Sequence, residues 1–218
     1  MESKEVVFIV DNLRIGGIQR LVLDESYQFI EWGFKVSIIS LAPPLQGDQI
    51  INVDRNFPLI GKIKIVYFRS NKFYQAFYFA KFLKMNKSQN IFISHSTTGA
   101  FLIKISSWIV FKKIKIILFI HQFLSLSKSI QALKRVFYSF FCDNLFFSSK
   151  QFLVNWEQIV NRNIILRLLS CKKTKFVRMG VYLPRLKYSD PKNYLRFKEY
   201  SPSLIYLSRL TEWKGFNK

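Results

Sequence analysis

Short, continuous apolar runs alternate with longer stretches in which apolar residues recur every three or four positions, and this alternation fills most of the 218-residue chain. An apolar run of strand length is what a strand buried on both faces of a parallel sheet requires. Residues 6–10 are the first such run. Residues 11–17 read as a turn, after which Ile18, Leu21, Val22, Ser26, Phe29 and Ile30 recur at helical spacing until Gly33 stops the helix. Phe34, Val36 and Ile38 then open a second strand that ends by Pro43-Pro44, completing a βαβ unit.

The alternation continues after a loop over 45–62. A strand is expected at 63–68, an aromatic-rich helix at 73–85 and a short strand at 91–93. A nearly all-apolar helix at 100–111, expected to be buried, leads to a strand at 114–120. Ile130, Leu133, Val136, Phe137 and Phe140 trace one face of another helix, followed by a strand at 144–147, a helix at 149–165 and a strand at 174–177. Six or so repeats of strand and helix predict a doubly wound, mainly parallel, Rossmann-like α/β sheet over residues 1–180. Residues 181–202, rich in Pro, Tyr and basic residues, read as an interdomain linker. The apolar run at 204–207 then reads as the first strand of a second domain, occupying 203–218 and otherwise missing. Ligands of such sheets bind beyond the carboxyl ends of the strands, which directs attention to the loops at 11–17, 95–99 and 121–125.

Composition changes this picture through charge. Half the residues are hydrophobic and 17% aromatic, enough for a packed core, but 34 Lys and Arg face 13 Asp and Glu, giving a net charge of +21. No acid occurs between Asp54 and Asp143. That half of the domain is expected to present a positive face to lipid headgroups, phosphorylated substrates or nucleic acid. A recognition helix and a stacking motif are both lacking, so nucleic acid is set aside. Basic helices around 72–87 and 128–135 would suit an anionic membrane surface, or be ordinary amphipathic helices facing the sheet. Apolar runs stay below the roughly 18 residues of a membrane span. Cys142 and Cys171 have neither metal-ligand spacing nor the number for a disulfide framework. The expected location is the cytoplasm, free or on the inner face of the cell membrane.

Three constellations carry candidate chemistry. Gly16-Gly17, between a strand and a helix start, either makes the turn or lets the backbone approach a phosphate at the helix N-terminus. His95 and His121, the only histidines, each directly follow a strand and so fall on the ligand side of the sheet, which puts at least one of them in the site. Arg209 and Lys214 have the side chains to hold a diphosphate, or belong to a solvated loop. None of these groups has metal-ligand spacing, and no cofactor is expected.

Together these segments resemble the family 4 retaining glycosyltransferases of the GT-B fold. The resemblance rests on Gly16-Gly17 with Arg20, Trp32-Gly33-Phe34-Lys35-Val36, Ser94-His95-Ser96, Ile120-His121 and the segment from Cys142-Asp143 to Ser148-Ser149. It extends to Met179-Gly180-Val181-Tyr182, Tyr206-Leu207-Ser208-Arg209-Leu210 and Trp213-Lys214-Gly215-Phe216. It implies an acceptor-side domain, a nucleotide sugar as donor substrate, and hexosyl transfer to a cell-envelope polysaccharide or glycolipid. Gly16, Gly17, Arg20 and His95 would bind substrate, His121 would contact the transferred sugar as the catalytic residue, and Arg209 and Lys214 would neutralise the leaving diphosphate without a metal. The sequence departs from the family at Gln19, Met179 and Tyr182, and lacks the two glutamates eight positions apart that hold the donor. The chain is therefore expected to be inactive alone, as the product of a frameshift, a fragment, or one half of a split enzyme whose partner is a separately encoded C-terminal half. The alternative is a non-catalytic basic membrane or binding module.

Overall fold

The computed structural model describes residues 5–14, 16–43, 62–68, 71–85, 90–121, 137, 139–162 and 173–177, all within the unit Met1–Tyr182. The expected linker, the 203–218 segment, the loop at 45–61, the 122–125 part of the loop after His121, the 179–182 turn and most of the helix around 130–140 lie outside the described residues. In order, the elements are β1 (Glu5–Val10), α1 (Gly17–Glu31), β2 (Lys35–Ser40), β3 (Ile63–Tyr67) and α2 (Lys72–Met85). They continue with β4 (Asn90–Ser94), α3 (Thr97–Ile109), β5 (Lys115–Ile120), β6 (Asn144–Phe147), α4 (Lys150–Arg162) and β7 (Lys173–Phe176).

The seven strands form one sheet in the order β3-β2-β1-β4-β5-β6-β7, every neighbouring pair parallel. The chain starts in the middle, runs to one edge, returns to lay β4 beside β1 and proceeds outward. Strand order reverses between β1 and β4, so the two diverging loops leave a crevice at their carboxyl ends. This is the predicted α/β architecture.

Helices on both faces explain the unbroken apolar runs. On one face Val6, Phe8 and Val10 of β1, Ile93 of β4 and Phe119 of β5 pack with Val22, Leu23 and Tyr27 of α1. On the other, Val7, Ile9, Phe92, Ile116 and Leu118 meet Phe79 and Leu83 of α2, Ile103 of α3 and Trp156 of α4. Register ties the faces together: Phe8 lies opposite Ile38 on one side and Ile93 on the other. Period-two alternation therefore carries His95 and His121 to the α1 face, beyond Ile93 and Phe119.

Two helices end in the same way. In α1, Gly33 adopts φ 84°, its N–H donates to Ile30 O at 2.9 Å, and Phe34 N–H donates to Phe29 O at 3.0 Å. In α3, Phe111 adopts φ 51°, its N–H donates to Trp108 O at 3.2 Å, and Lys112 N–H donates to Ser107 O at 2.9 Å. Both are Schellman closures, with glycine at the left-handed position in one and phenylalanine in the other.

The structure corrects the third helix. It runs over Thr97–Ile109 rather than 100–111, because the Ser96 hydroxyl accepts from Gly99 N–H at 3.0 Å and starts the helix early, shortening the loop expected at 95–99. Nor is it buried throughout: Trp108 and Ile109 of its last turn are exposed, as is Phe111 beyond it. Its first turn is packed tightly against β1. A Cβ on Gly99 would stand 2.5 Å from Ile9 Cγ2, so glycine lets α3 seat its N-terminus at the crevice.

Candidate functional site

The β1–α1 loop is held by its own side chains. Asn12 Oδ1 accepts from Arg14 N–H at 3.1 Å, and the Gln19 amide donates to Asn12 O at 3.1 Å and Oδ1 at 3.2 Å. Gln19 thus faces inward and ties the loop to the first turn of α1. Gly16 is the N-cap, extended at φ −175°, and no side chain caps the helix there. Gly17 is exposed and has nothing within 4 Å of where a Cβ would sit, so the fold itself does not demand glycine. What glycine leaves at this point is a bare helix N-terminus, with N–H groups and the positive end of the dipole open to an approaching anion.

The β4–α3 connection supplies the other wall. His95 N–H donates to Ile9 O at 2.9 Å, extending the sheet one residue past β4. Ser96 caps α3 and donates its hydroxyl proton to Asp11 Oδ1 at 2.5 Å, so the ends of β1 and β4 are joined by a charge-assisted bond.

Between these walls lies a chain of three titratable groups. Glu25 Oε2 is 3.1 Å from His95 Nε2, and His95 Nδ1 is 2.7 Å from His121 Nε2. The His95 side chain is fully buried, its ring nearly parallel to Phe119 with centroids 5.1 Å apart. The two imidazoles lie within 10° of coplanar, centroids 5.0 Å apart, as rings joined edge to edge. Their facing nitrogens share one hydrogen, so one nitrogen must accept. His95 Nε2 donates to the Glu25 carboxylate. Burial, and then the charge of His95, lower the pKa of His121 from 6.5 to about 4. His121 is therefore neutral at pH 7.

The arrangement has the geometry to pass a proton along the three groups. With His95 neutral, His121 donates through Nε2 and keeps Nδ1 as an acceptor; with the extra proton on His95, beside Glu25, His121 accepts at Nε2 and presents Nδ1–H. A proton taken up at Nδ1 and passed from Nε2 to His95 leaves the positive charge next to a carboxylate rather than on His121. Among the described residues no three His, Cys, Asp or Glu converge to hold a metal ion.

No protein-family model matches the chain, and no curated protein matches it in sequence. Solved structures do match in shape. Anabaena HepE in complex with UDP-glucose superposes with a TM-score of 0.59 at 12% identity, covering 89% of this chain and 49% of that one. The lipopolysaccharide outer core galactosyltransferase WaaB does so at 0.53 and 14% identity, covering 80% and 45%. An α-glucosyltransferase in complex with UDP-glucose and DNA containing an abasic site reaches 0.50 at 14% identity, covering 83% and 44%. The fold is GT-B. This chain spans about half the length of these structures, and its sheet is the Rossmann-like N-terminal half of that fold.

Of the residues singled out in the sequence, Gly16, Gly17, His95 and His121 all stand at the carboxyl end of the sheet. Arg20, on the first turn of α1, pairs with the buried Asp24 at 3.1 Å and keeps an exposed side chain. Arg209 and Lys214 lie outside the described residues. The comparison lends no support to the setting aside of nucleic acid: the α-glucosyltransferase that shares this fold is bound to DNA. Glu25 escaped sequence reasoning, and Asp11 and Ser96 were reached only as members of the 11–17 and 95–99 loops, without a role. For Glu25 the available signal was its spacing: two turns into α1 from Ile18 it shares the face of Val22 and Phe29, a carboxylate turned toward the sheet.

Proposed function

We propose that the chain is the acceptor-side half of a retaining hexosyltransferase, working with a donor-side half to move a sugar from a nucleotide diphosphate to a cell-envelope polysaccharide or glycolipid. The observation that carries this reading is the Glu25–His95–His121 chain at the switch point of a GT-B sheet. Positive charge develops on the sugar ring as its bond to the diphosphate breaks, and an imidazolium at His121 would oppose it. Kept neutral, His121 can hydrogen-bond a hydroxyl of the transferred sugar while any proton it gains passes inward to His95. The bare N-terminus of α1 at Gly16 and Gly17 faces the phosphates or the acceptor; His95 acts through His121, and Arg20 serves α1. Arg209 and Lys214 neutralise the leaving diphosphate in the assembled enzyme, with a nucleotide sugar as donor and no resident cofactor.

The test titrates the 218-residue chain with short-chain prenyl-diphosphate-linked mono- and disaccharides while following the histidine ring nitrogens by NMR. Saturable shifts at His121 and His95, absent in His121→Ala, are expected. Silence at both rings with every mimic would sink the acceptor-side assignment. Multiple turnovers of UDP-glucose by the chain alone would overturn its description as a half-enzyme.

A further inference from the structure

Helix α2 is apolar on both sides. Phe79 and Leu83 face the sheet, yet Tyr74, Phe77, Tyr78 and Met85, at spacings of three, one and seven, form an outward stripe, with Phe77 and Met85 exposed by 68% and 74%. A helix apolar all round is ordinarily buried all round. Its end adjoins a second exposed set. Lys112 Nζ donates to Leu83 O at 3.1 Å, bringing the corner after α3, with exposed Trp108, Ile109 and Phe111, against the end of α2. A groove of about 410 Å³ opens there between Trp108, Phe111, Lys112 and Lys113.

Phe111 decides what kind of surface this is. It occupies the left-handed position that Gly33 fills in the matching closure of α1, a conformation unfavourable for any residue with a Cβ, and it is 97% exposed. The fold gains nothing from the ring and would be better served by glycine. Among the described residues around it positive charge predominates: Lys81, Lys84 and Lys113 are exposed, while the nearby acid Asp143 is held by Ile116 N–H at 2.8 Å and Lys104 at 3.9 Å. Aromatic and apolar side chains ringed by lysine amines fit the interface of an anionic bilayer, where rings sit at the headgroup level and amines meet phosphates.

We infer that the outer face of α2 and the corner after α3 form a docking surface for an anionic lipid bilayer, with Phe77 and Phe111 entering the interface and Lys81, Lys84 and Lys113 meeting the headgroups. Because α2 runs alongside the strands, a membrane along this stripe passes from the amino end of the sheet to the level of the crevice. The inference does not rest on the transferase reading, since the lipids needed to test it carry neither glycan nor nucleotide.

The experiment is flotation of the full chain with vesicles of phosphatidylcholine alone or with 30% phosphatidylglycerol, alongside emission in a Trp32→Phe, Trp213→Phe background, where Trp156 is buried in the core and Trp108 is the exposed tryptophan that lipid can reach. Binding to the anionic vesicles only is expected, with a blue shift of Trp108. The triple variant Lys81→Gln, Lys84→Gln, Lys113→Gln should lose about fivefold per lysine. Phe77→Ala with Phe111→Gly should lose about tenfold per ring while remaining folded. Equal binding to neutral vesicles, an unchanged Trp108 spectrum, or full binding by the double aromatic variant would each overturn the proposal. So would binding of a 20-base-pair DNA duplex without vesicle binding, which would make the face a nucleic-acid surface. A lipid-independent dimer abolished by Phe77→Ala, without vesicle binding, would reassign it to a second copy of the chain.

Discussion

Replacing Phe111 with glycine should make the protein more stable, although it deletes an aromatic side chain. The residue sits at φ 51°, where a Cβ crowds the backbone at a cost of roughly 1–2 kcal/mol. Glycine removes that cost but widens the conformational freedom of the unfolded chain, which returns about 0.4–1 kcal/mol. The ring adds nothing to set against the change, being 97% exposed. The net expectation is a gain of about 0.5–1 kcal/mol, or roughly 1–4 °C in the melting temperature of a domain this size. Phe111→Ala keeps the Cβ and should fall within about 0.5 kcal/mol of the parent. Gly33→Ala, in the matching closure of α1 at φ 84°, has free space around its Cβ but should still lose about 1 kcal/mol or more. Urea unfolding followed by circular dichroism measures all three. A Phe111→Gly protein less stable than the parent by more than about 0.5 kcal/mol would show that the ring serves the fold, and would refute the reasoning that assigns it to a partner.

His121 gives the protein an acid-sensitive limb: between pH 6.5 and about 4 the unfolded chain binds a proton there that the folded chain does not, so stability falls as pH falls through that window, by on the order of 3 kcal/mol at most. His121→Gln should flatten that limb in urea titrations run at a series of pH values, and an unchanged slope would contradict the burial argument. Glu25→Gln should shift the ring nitrogens of both His95 and His121 in NMR spectra, and an effect confined to His95 would show that the 2.7 Å link does not couple the rings. Arg20→Met takes the guanidinium from Asp24, which is 3% exposed, and should cost about 1–3 kcal/mol in denaturation; a neutral result together with weakened acceptor binding would return Arg20 to the substrate. Gly99→Ala forces a Cβ toward Ile9 and should lower stability by about 1–3 kcal/mol, read by thermal melting.

The sheet was legible in the sequence because parallel strands covered on both faces need continuous apolar runs, and residues 6–10 and 116–120 supply them, with Ser37 alone interrupting the run at 36–39. Helix ends were less legible for the same physical reason that caps matter. The start of α3 is decided by one hydroxyl, on Ser96, which reaches Gly99 N–H and Asp11 at once; apolar periodicity does not record either bond. Exposure was misjudged where composition alone was the guide. The first turn of α3 packs on β1 at Gly99 while Trp108 and Ile109 of its last turn are exposed, and nothing in the alternation of residue types distinguishes a face turned to the sheet from one turned outward.

At the site, the sequence placed the histidines and missed what makes them act together. His95 and His121 were found by position, each one residue past a strand, and the register of neighbouring parallel strands then puts both rings on the α1 face within hydrogen-bond reach. Glu25 is 70 residues from His95 along the chain and joins it only because α1 crosses that face. This third member changes the chemistry, since a pair of buried imidazoles has nowhere to hold a proton, whereas a carboxylate 3.1 Å from the inner ring gives the charge a place to rest away from His121. The glycine pair sharpened in the opposite sense. Sequence left Gly16-Gly17 between turn chemistry and ligand approach, and the open space about Gly17 removes steric demand within the fold as its reason, leaving the uncapped amides of α1 as the feature an incoming anion would meet.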